Sequence, residues 1–543
     1  MTNPTPQISE KKLNTWLPLL LAMVAAVGIF IGFKLQDSVS SPGKVSVLPA
    51  IRGKQEVGKI EEILRFVEAK YVEDVDRDEL VESAINGILQ ELDPHSNYIS
   101  EKELESVNSS LEGSFDGIGV QFTIIDDTIQ VISPIVGGPS EMLGIRAGDK
   151  IVEINDTSVA GIGITNSKIM ERLRGKKGTD VNIGVMRGSN PEVIDFTITR
   201  DKIANNSLDV SYMVNDRVGF VKINRFSGTT YEEFMKAIEG LNEAGMKDLI
   251  IDVRQNPGGY LQAATKIVGQ LFNDKRLLVY TEGRTQRRNE YNSTGRNFYD
   301  IDNVMVLIDE GSASASEILA GAVQDSDRGK IIGRRSFGKG LVQEQYDLRD
   351  GSALRLTVAR YYTPSGRSIQ KPYKGKGAAY NKDIAERFDN GEMENSDSIT
   401  ISDTTRYYTQ DGRVVYAGGG ITPDVFVALD PMFNNPYFIK VSQYIMEFSI
   451  SYLNKNRNNI SQYNSADEFA KGYQVSEKVL EQFSDYALKK GVKKDRRAFK
   501  KAKSAIANRI KAHLARDLFK EEGFYRVWNQ TDDVFAEAIK ELK

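Results

Sequence analysis

Short apolar runs alternate with longer amphipathic runs between residues 212 and 430 of this 543-residue chain. The strand-like runs are VGFVKI, DLIIDVR, LLVYTE and VMVLID, and the helix-like runs are TYEEFMKAIEGLNEAG and LQAATKIVGQLF. Alternation of this kind is typical of a layered α/β core. Because the chain is too long for one ordinary domain, we expect roughly three or four folded units in all.

An uncharged apolar stretch runs from Trp16 to Phe33, just long enough to cross a bilayer as a helix. Lys11 and Lys12 precede it, and the positive-inside rule then leaves residues 1–14 as a cytoplasmic tail. We predict a transmembrane signal anchor over 15–35, single-pass in the inner or cytoplasmic membrane. The catalytic part would face the periplasm or another extracytoplasmic space. A cleaved signal peptide is the closer alternative, although no clean A-x-A site follows the stretch; a buried core helix is the other.

Composition excludes several classes of protein. The net charge of −4 argues against a nucleic-acid-binding protein, which would normally carry a basic face. The chain has no cysteine, so it has no disulfide, no thiolate nucleophile and no cysteine-based metal site. The basic run KKGVKKDRRAFKKAK is read as a solvated surface.

The remaining segments differ in pattern. Residues 36–53 carry Ser, Pro and Gly with little periodicity and are predicted to be a linker. Residues 54–110 show helical spacing of apolar residues, and a dimer partner or the main body would have to cover their apolar face. The α/β segment is bounded at 203–431 and contains a polar insertion at 372–417. Residues 432–543 are predicted to be a helical C-terminal extension.

Residues 111–202 change to short strands with glycine turns, including GIGVQFTIIDDTIQVISPIVGGPSEMLGIRAGDKIVEIND. The pattern adds a small helix from Pro139 to Leu143 and a turn at Ala147–Gly148–Asp149. It resembles a PDZ domain over nearly the full length of that module. The resemblance implies that an extended peptide adds to a strand edge, while free backbone N–H groups cradle its C-terminal carboxylate. The loop so implied consists of Gly117, Ile118, Gly119 and Val120, although glycine turns alone occur in many β domains.

Two chemical interpretations fit residues 311–343, which read GSASASEILAGAVQDSDRGKIIGRRSFGKGLVQ. Gly333 to Lys339 satisfies G-x-x-x-x-G-K, the first part of a phosphate-binding loop. That motif needs Ser or Thr next and then a helix, whereas Gly340 and the strand-like LVQEQYDL follow here. An extracytoplasmic location would also remove ATP, so we exclude a phosphate loop.

The alternative is a serine nucleophile, which needs a neighbouring base. Histidine is the familiar base, but the chain has only two, His95 and His513. Neither lies in a turn of the α/β segment, so His95 is expected to cap or pack a turn and His513 to sit on a helix face. Either histidine could still fold back to the serines.

A neutral lysine can replace histidine as the base. Lys339 in SFGKGLV is flanked by small and apolar residues, and burial would lower its pKa. If GKGLVQ runs into a strand, Lys339, Leu341 and Gln343 share a face, and the Gln343 amide oxygen can accept from the lysine. A surface lysine in a glycine turn is the equally simple alternative.

GSASASEILAGAVQD and RSFGKGLVQ together resemble the signature of the C-terminal processing peptidases, also called tail-specific or carboxy-terminal proteases. The resemblance runs from about residue 55 to residue 430 and includes LDPHSNYIS, DVRQNPGG, YYTPSGRSIQ and GGGITPDV. It implies a multidomain α/β protein. A crotonase/ClpP-like α/β protease core would carry an inserted β-rich PDZ domain, an N-terminal helical segment and a helical C-terminal extension.

The family uses a Ser–Lys dyad, and the resemblance implies which residues form it here. Ser314 is the nucleophile, Lys339 the general base and Gln343 the orienting amide. The N–H groups of Ala315 and Gly258 would form the oxyanion hole, although NPGG is also an ordinary strand-to-helix turn. Other residues are given minor roles: Ser312 and Ser316 are expected to help shape the turn, Glu317 is expected to begin the following helix, and Ser336 stands where the family usually has Thr.

The sequence therefore predicts a membrane-anchored serine endopeptidase that cleaves through an acyl-enzyme. Its partners would be protein substrates with exposed C-terminal tails and the membrane, with a homo-oligomer or an adaptor left open and no nucleic acid. No metal or organic cofactor is implied. A catalytically inactive PDZ scaffold and an acyl-transfer enzyme on the same core are the alternatives, and both are disfavoured because the serine and the lysine are present.

Overall fold

The computed structural model describes residues 58–188, 190, 192–373, 377–460 and 462–543. The predicted cytoplasmic tail, the membrane anchor at 15–35 and the linker at 36–53 lie outside the described residues. Among the helices of the described part, none combines the length and apolarity needed to cross a bilayer. The contacts divide the chain into two compact units that meet between Leu80 and Val81.

The first unit contains helix α1, Lys59–Lys70, and the start of α2, Arg77–Gln90. The Arg77 guanidinium joins the two, donating to Glu61 at 2.8 Å and to Glu68 at 2.9 Å. Helical spacing predicted helices here, and the structure has them. Much of the apolar face of α1 is exposed within its own unit, as at Ile63 and Phe66.

The second unit begins with the rest of α2 and continues through β1, Asn97–Ile99, and α3, Glu101–Glu112. A β-rich domain follows. Its elements are β2 (Ser114–Gly117), β3 (Val120–Ile125), β4 (Thr128–Pro134), α4 (Pro139–Met142), β5 (Lys150–Ile154), β6 (Thr157–Ser158), α5 (Asn166–Leu173), β7 (Asp180–Met186), β8 (Val193–Thr199) and β9 (Asp201–Ala204). The sheet order is β3-β4-β5-β7-β8, with β6 on β5, so β3 is an edge strand.

This β domain has its own hydrophobic core. Alternate residues of its strands point inward, such as Ile129 and Val131 of β4 and Ile183 and Val185 of β7, and all four are buried. Inward alternation is what a half-buried antiparallel sheet requires. The short pair β2–β9 forms the base at which the chain enters and leaves the domain.

The α/β core contains a six-stranded sheet in the order β10-β11-β12-β15-β16-β21. Its strands are β10 (Leu208–Met213), β11 (Val218–Ile223), β12 (Asp248–Asp252), β15 (Val304–Ile308), β16 (Gly329–Gly333) and β21 (Val425–Phe426). The strands β13 (Leu277–Glu282) and β14 (Asn289–Asn292) lie in a second sheet. Only β10 is antiparallel to its neighbour. Continuous apolar runs suit parallel strands buried on both faces, and every residue of β11, β12 and β15 is buried.

Three helices accompany this sheet: α6 (Thr230–Glu243), α7 (Leu261–Gly269) and α8 (Ala315–Asp325). The core packs their apolar faces against the strands, with Phe234, Ile267 and Leu319 among its buried members. Every residue of α8 is buried. The strands and helices that alternation predicted are confirmed, with ends shifted by a few residues.

A second sheet brings distant segments to the core. The strands β17 (Leu341–Asp347) and β18 (Ala353–Tyr362) form a hairpin, and β18 also pairs with β13 and with β1. Through β1, the LDPHSNYIS segment reaches the hairpin that begins just after Lys339. A segment some 250 residues away in sequence is thereby built into the core.

The polar insertion contains regular structure of its own. It has α9 (Gly377–Asp389) and the hairpin of β19 (Asp403–Tyr408) with β20 (Val414–Ala417). Arg387 of α9 is buried and donates to the carbonyl oxygens of Ser336 at 2.8 Å and Phe337 at 3.2 Å. The insertion therefore braces the loop that carries Lys339.

The C-terminal extension is helical, as predicted. Its helices are α10 (Pro436–Ser442), α11 (Ile445–Ile460), α12 (Ala466–Gly472), α13 (Glu477–Lys489), α14 (Arg496–Trp528) and α15 (Asp533–Glu541). Most of them share a separate core around α14. Helix α15 instead packs Val534 and Phe535 against Phe220 and Leu307 of the parallel sheet. The extension thus covers one face of the α/β core.

Candidate active site

Ser314 stands at the junction between the loop after β15 and helix α8. It is the N-cap residue of α8 and has φ +54°, an uncommon backbone conformation for a residue with a side chain. The flanking serines hold the loop, because Ser312 Oγ donates to the Val253 carbonyl and Ser316 Oγ to the Asn256 carbonyl, each at 2.9 Å. The serines at 312 and 316 therefore shape the turn, as expected.

Gly258 packs directly against this turn. Its φ is +102°, and a Cβ at this position would lie 2.7 Å from Ser314 Cβ and 2.9 Å from the Ala315 nitrogen. Only glycine fits so close to the serine. The Gly258 N–H donates to Asn256 Oδ1 at 2.9 Å, so it is engaged within its own loop. Ala315 is the first residue of α8, where an N–H has no acceptor within the helix.

Lys339 and Gln343 form a close pair on the other side of the site. Lys339 Nζ donates to Gln343 Oε1 at 2.9 Å, and Gln343 Nε2 donates to the His95 carbonyl oxygen at 2.6 Å. The Gln343 side chain is thereby held at both ends. No hydrogen bond joins the Ser314 hydroxyl to Lys339 Nζ in this structure, which describes both residues.

Burial lowers the pKa of the Lys339 amine, and the nearby positive charge of Arg355 lowers it further. The charges of Asp93 and Glu317 act in the opposite direction and are weaker. The balance favours a neutral amine at lower pH than for an exposed lysine. The sequence-based expectation for Lys339 thus has a physical cause in the structure.

Glu317 connects the two halves of the site. One carboxylate oxygen, Oε2, accepts the N–H groups of Ser314 and Lys339, both at 2.8 Å. The other, Oε1, accepts the Gly338 N–H at 2.7 Å and the Ser336 hydroxyl at 2.5 Å. Burial raises the pKa of Glu317 to about 7, against these four donors, which favour the carboxylate. The sequence assigned Glu317 only to the start of a helix, and its role as a bridge was missed.

These contacts also contradict the phosphate-loop interpretation. The N–H groups of Gly338 and Lys339, which a phosphate would need, are bound to the Glu317 carboxylate. Strand β17, rather than a helix, follows Gly340. The loop is built around an acid of the protein itself.

A buried tyrosine makes a second bridge. The Tyr361 hydroxyl lies 3.0 Å from the Ser314 carbonyl oxygen and is also hydrogen-bonded to the Lys339 carbonyl oxygen. Burial raises the pKa of Tyr361 well above its usual value, so the hydroxyl stays protonated. Ser314 and Lys339 therefore share two common partners, Glu317 and Tyr361.

His95 lies beside the site, a possibility that its position in the sequence left open. Its carbonyl oxygen holds Gln343, and its Nε2 lies 2.6 Å from the Tyr380 hydroxyl. Burial and the charges of Lys339 and Lys371 lower its pKa to about 4, so the ring is neutral at physiological pH. It serves the site through its backbone, a role that its ring chemistry could not reveal. His513 packs on Phe524 in the extension, on a helix as expected.

Asp93 shapes the turn that presents the His95 carbonyl. It accepts the N–H groups of His95 at 2.8 Å and Ser96 at 2.9 Å, and the Ser96 hydroxyl at 2.6 Å. It also accepts the Thr357 hydroxyl of β18 at 3.1 Å. The LDPHS turn is therefore tied directly to the hairpin that carries Gln343.

The loop predicted to bind peptide termini lies in the β domain. It shares no hydrogen bond with the five predicted catalytic residues, all of which the structure describes: Gly258, Ser314, Ala315, Lys339 and Gln343. It runs from the end of β2 to the start of the edge strand β3. The Ile118 carbonyl accepts from the N–H and hydroxyl of Ser140, and the Gly119 carbonyl accepts from the Ile135 N–H. Gly117 ends β2 and Val120 begins β3. The two carbonyl groups between them are therefore hydrogen-bonded within the β domain.

A cavity of about 640 Å³ lies elsewhere, between the parallel sheet and the C-terminal extension. The charged groups on its floor pair mainly with one another, as in Lys222–Asp252 and Arg254–Asp532. None of the five predicted catalytic residues lines it. The cavity is thus separate from the site around Ser314.

The α/β core with a serine at a helix N-terminus, joined to a PDZ domain, defines a serine peptidase. Family models agree with this class: Peptidase family S41 matches residues 217–378, and the PDZ domain matches 117–198. The activating protease CtpB N-terminal domain matches 22–103, and a family of unknown function (DUF8443) matches 437–520. The chain belongs to the carboxy-terminal processing proteases of peptidase family S41.

The similar proteins are all described as proteases. The chain is 33% identical to the carboxy-terminal processing protease CtpB of Bacillus subtilis over 65% of its length and 75% of that protein. It is 35% identical to a probable CtpA-like serine protease of Staphylococcus aureus, over 59% of its length and 63% of that protein. The solved structure of a photosystem II D1 C-terminal processing protease is 28% identical to this chain, and the match covers 68% of this chain and 86% of the solved chain. Its TM-score of 0.35 is too low to support any correspondence of residues.

Proposed function

We propose that this protein is a membrane-anchored endopeptidase whose nucleophile is Ser314 and whose general base is Lys339. The observation that carries the proposal is the pairing of Lys339 Nζ with Gln343 Oε1 at 2.9 Å, in a loop that shares Glu317 with Ser314. The Lys339 side chain forms no ion pair with any described residue, and a partly buried lysine of this kind, in a loop that shares Glu317 with a serine at a helix N-terminus, suits proton transfer.

The reaction follows the general course of acyl transfer. Ser314 Oγ attacks the peptide carbonyl carbon while Lys339 takes the hydroxyl proton. Lys339 then gives this proton to the leaving amine as the C–N bond breaks and the acyl-enzyme forms. Water then attacks the ester carbonyl carbon while Lys339 accepts its proton, and Lys339 returns this proton to Ser314 Oγ as the ester C–O bond breaks. Lys339 Nζ donates to Gln343 in the free protein, which leaves the lone pair of the neutral amine for the Ser314 hydroxyl. We propose that this second hydrogen bond forms when substrate is bound, as is common for catalytic hydrogen bonds.

The charge that develops on the carbonyl oxygen needs N–H donors. Ala315 supplies one from the first position of α8. Gly258 supplies the second when its N–H leaves Asn256 Oδ1 for the substrate, a change confined to one short loop. The close packing of Gly258 on Ser314 supports this assignment.

The PDZ domain is proposed to capture the C-terminal tail of the substrate. Strand β3 is an edge strand, so its backbone can pair with an extended peptide. The inward-bonded carbonyls of Ile118 and Gly119 leave the outer side of the loop to N–H groups, which suit a carboxylate. An apolar tail fits the apolar residues of this domain.

The membrane anchor over 15–35 and an extracytoplasmic active site complete the proposal. They rest on the uncharged stretch from Trp16 to Phe33 and on the lysines before it. Membrane fractionation, followed by protease treatment of intact and of permeabilised cells, tests both. Digestion of the folded part in cells whose cytoplasmic membrane is intact supports the orientation, and digestion only after lysis of that membrane contradicts it.

The catalytic assignment is tested with the full chain in detergent and an unfolded protein ending in an apolar tail. The same protein with a charged tail measures tail recognition. Ser314→Ala and Lys339→Ala should abolish cleavage, while Lys236→Ala, at an exposed position on α6, should leave it unchanged. Cleavage that survives in Ser314→Ala would overturn the nucleophile. Tail binding without cleavage by the wild type would favour the inactive scaffold.

A further inference from the structure

Arg355 is a half-buried cation in the active-site hairpin with no acidic partner. It lies on β18, and within the described residues its guanidinium forms no ion pair. Its side-chain hydrogen bond goes to the amide oxygen of Gln345 at 3.1 Å. Burial lowers the pKa of Arg355, yet an arginine keeps its charge in proteins. A partly desolvated charge without a counter-charge is costly unless a ligand supplies one.

The register of the hairpin places Arg355 on the same face as Gln343. Gln345 pairs with Arg355 across the strands, and Gln343 pairs with Thr357. Residues two apart on a strand point to the same face, roughly 7 Å from each other. Arg355 is therefore one cross-strand pair along from the amide that holds Lys339.

Tyr260 is a second group that the charge of Arg355 reaches. It follows Gly258 by two residues at the start of α7 and is 43% exposed. Burial and the negative charge of Glu112 raise the pKa of Tyr260, and the positive charge of Arg355 opposes that rise. Burial lowers the pKa of Lys339, and the charge of Arg355 lowers it further. Arg355 therefore lies near both the loop that follows Gly258 and the loop of Lys339, the two loops proposed to hold the cleaved peptide.

Asp93, the acid that contacts Thr357 of β18, already accepts several other hydrogen bonds. Asp93 contacts the neighbouring Thr357, but it also accepts two N–H groups and a hydroxyl from His95 and Ser96. Asp93 therefore leaves the guanidinium of Arg355 to another acceptor. A carboxylate is the natural one, because the planar guanidinium can bind both its oxygens at once.

We propose that Arg355 is a specificity-determining residue that binds a carboxylate of the peptide being cleaved. The inference rests on the proposed peptidase function. The carboxylate comes either from an Asp or Glu side chain near the scissile bond or from the terminus of a short peptide tail. The protein would then cleave acidic peptides in preference to matched neutral ones.

The test measures KM and kcat of the full chain on fluorogenic peptides. One series has an amidated C-terminus and exchanges Asp for Asn at each position around the cleaved bond. A second series compares a free C-terminal acid with its amide. With the wild type, we expect one acidic position to lower KM by about tenfold or more, as for a hydrogen bond to a charged group.

The variants assign this preference to one residue. Arg355→Gln should bring the ratio of KM values for each Asn and Asp pair to about one, and Arg355→Glu should reverse it in favour of Lys-containing peptides. The matched control Arg349→Gln lies at an exposed position in the turn of the same hairpin and should keep the wild-type ratio. Because each ratio is taken within one variant, a partial loss of folding does not change it.

The outcomes separate the two possible sources and the two proposals. A preference in the amidated series identifies a side-chain carboxylate, and one confined to the free-acid series identifies the terminus. A free-acid preference that survives Arg355→Gln belongs to the PDZ domain and contradicts the inference, as does equal cleavage of all peptides. If no peptide is cleaved, or if cleavage persists in Ser314→Ala, the proposed function itself fails.

Discussion

The Lys339 N–H donates to Glu317 Oε2 at 2.8 Å, and the same oxygen accepts the Ser314 N–H at the same distance. One buried carboxylate thus fixes the backbone of the proposed nucleophile relative to that of the proposed base. Glu317 does not face the substrate in this arrangement. It acts as a positioning residue for both loops.

Replacing Glu317 by Gln should separate the two loops. The amide group would bring an NH2 against N–H donors, leaving at least one of them without an acceptor. We expect the free energy of unfolding of the core to fall by about 1–3 kcal/mol and kcat to fall about a hundredfold. Urea unfolding and peptide kinetics measure the two effects. Glu239→Gln, at an exposed position on α6, is the control, and wild-type kcat in Glu317→Gln would contradict the bridging role.

The pH profile should follow the neutral form of Lys339. A base must be unprotonated to accept a proton, so kcat/KM rises as pH rises through the lysine pKa. Burial and Arg355 lower that pKa, and the rise should be centred below the ordinary lysine value of about 10.4. Arg355→Gln removes a positive charge and should move the midpoint to higher pH. A midpoint that Arg355→Gln leaves unchanged would show that the two charges do not interact.

A substitution at Asp93 should shift the pH midpoint of kcat/KM in the direction opposite to that of Arg355→Gln. The negative charge of Asp93 raises the pKa of Lys339, so Asp93→Asn should move the midpoint of kcat/KM to lower pH. The variant also weakens the turn that presents the His95 carbonyl to Gln343, so kcat should fall while KM changes little. A purely structural role would lower the amount of folded enzyme without moving the midpoint. Full pH profiles of both variants, measured on one peptide, distinguish these cases.

Gly258 tolerates no side chain. A Cβ there would lie 2.7 Å from Ser314 Cβ and 2.8 Å from the Ala313 carbonyl oxygen, with a φ of +102°. Gly258→Ala should therefore abolish peptide cleavage by displacing the nucleophile or the proposed oxyanion N–H. Gly240→Ala is the matched control, since Gly240 lies in α6 with nothing within 4 Å of its Cβ position, and it should gain about 0.5–1 kcal/mol of stability. Normal activity in Gly258→Ala would remove Gly258 from the site.

The C-terminal extension is tied to the loop of Gly258 by an ion pair. Asp532 Oδ2 lies 2.7 Å from Arg254, four residues before Gly258, and both side chains are largely buried. Asp532 also caps α15 by accepting the N–H groups of Val534 and Phe535. Asp532→Asn keeps the cap and removes the charge, whereas Asp532→Ala removes both.

We expect Asp532→Asn to lower the free energy of unfolding by about 1–3 kcal/mol, because Arg254 keeps Asp252 as a partner. Asp532→Ala should cost about 1 kcal/mol more, through the lost cap. Limited trypsin digestion should release the extension faster from both variants, in that order. Identical digestion rates for both variants and the wild type would show that the extension is held by its apolar contacts alone.

Local patterns carried much of the prediction. Runs such as VGFVKI and VMVLI were predicted as strands of a layered α/β core, and the structure has them as strands buried on both faces of a mainly parallel sheet. The sequence placed Lys339 and Gln343 on one face of a possible strand, but residues four apart on a strand are roughly 13 Å apart, so their contact depends on the loop that carries Lys339 into β17. The resemblance then singled out Ser314 among three serines, which no local physics could do.

The tertiary structure decided what lies around these residues. His95 and Asp93 reach Gln343 and Thr357 across about 250 residues of sequence, through the pairing of β1 with β18. Neither Glu317 as a bridge nor Arg355 as an unpaired cation can be read from its neighbours in sequence. Sequence by itself determined the elements and the chemical types at the site, since these depend on nearby residues. Which groups share a buried space, and so which pKa values shift, depends on long-range packing that the folded chain alone establishes.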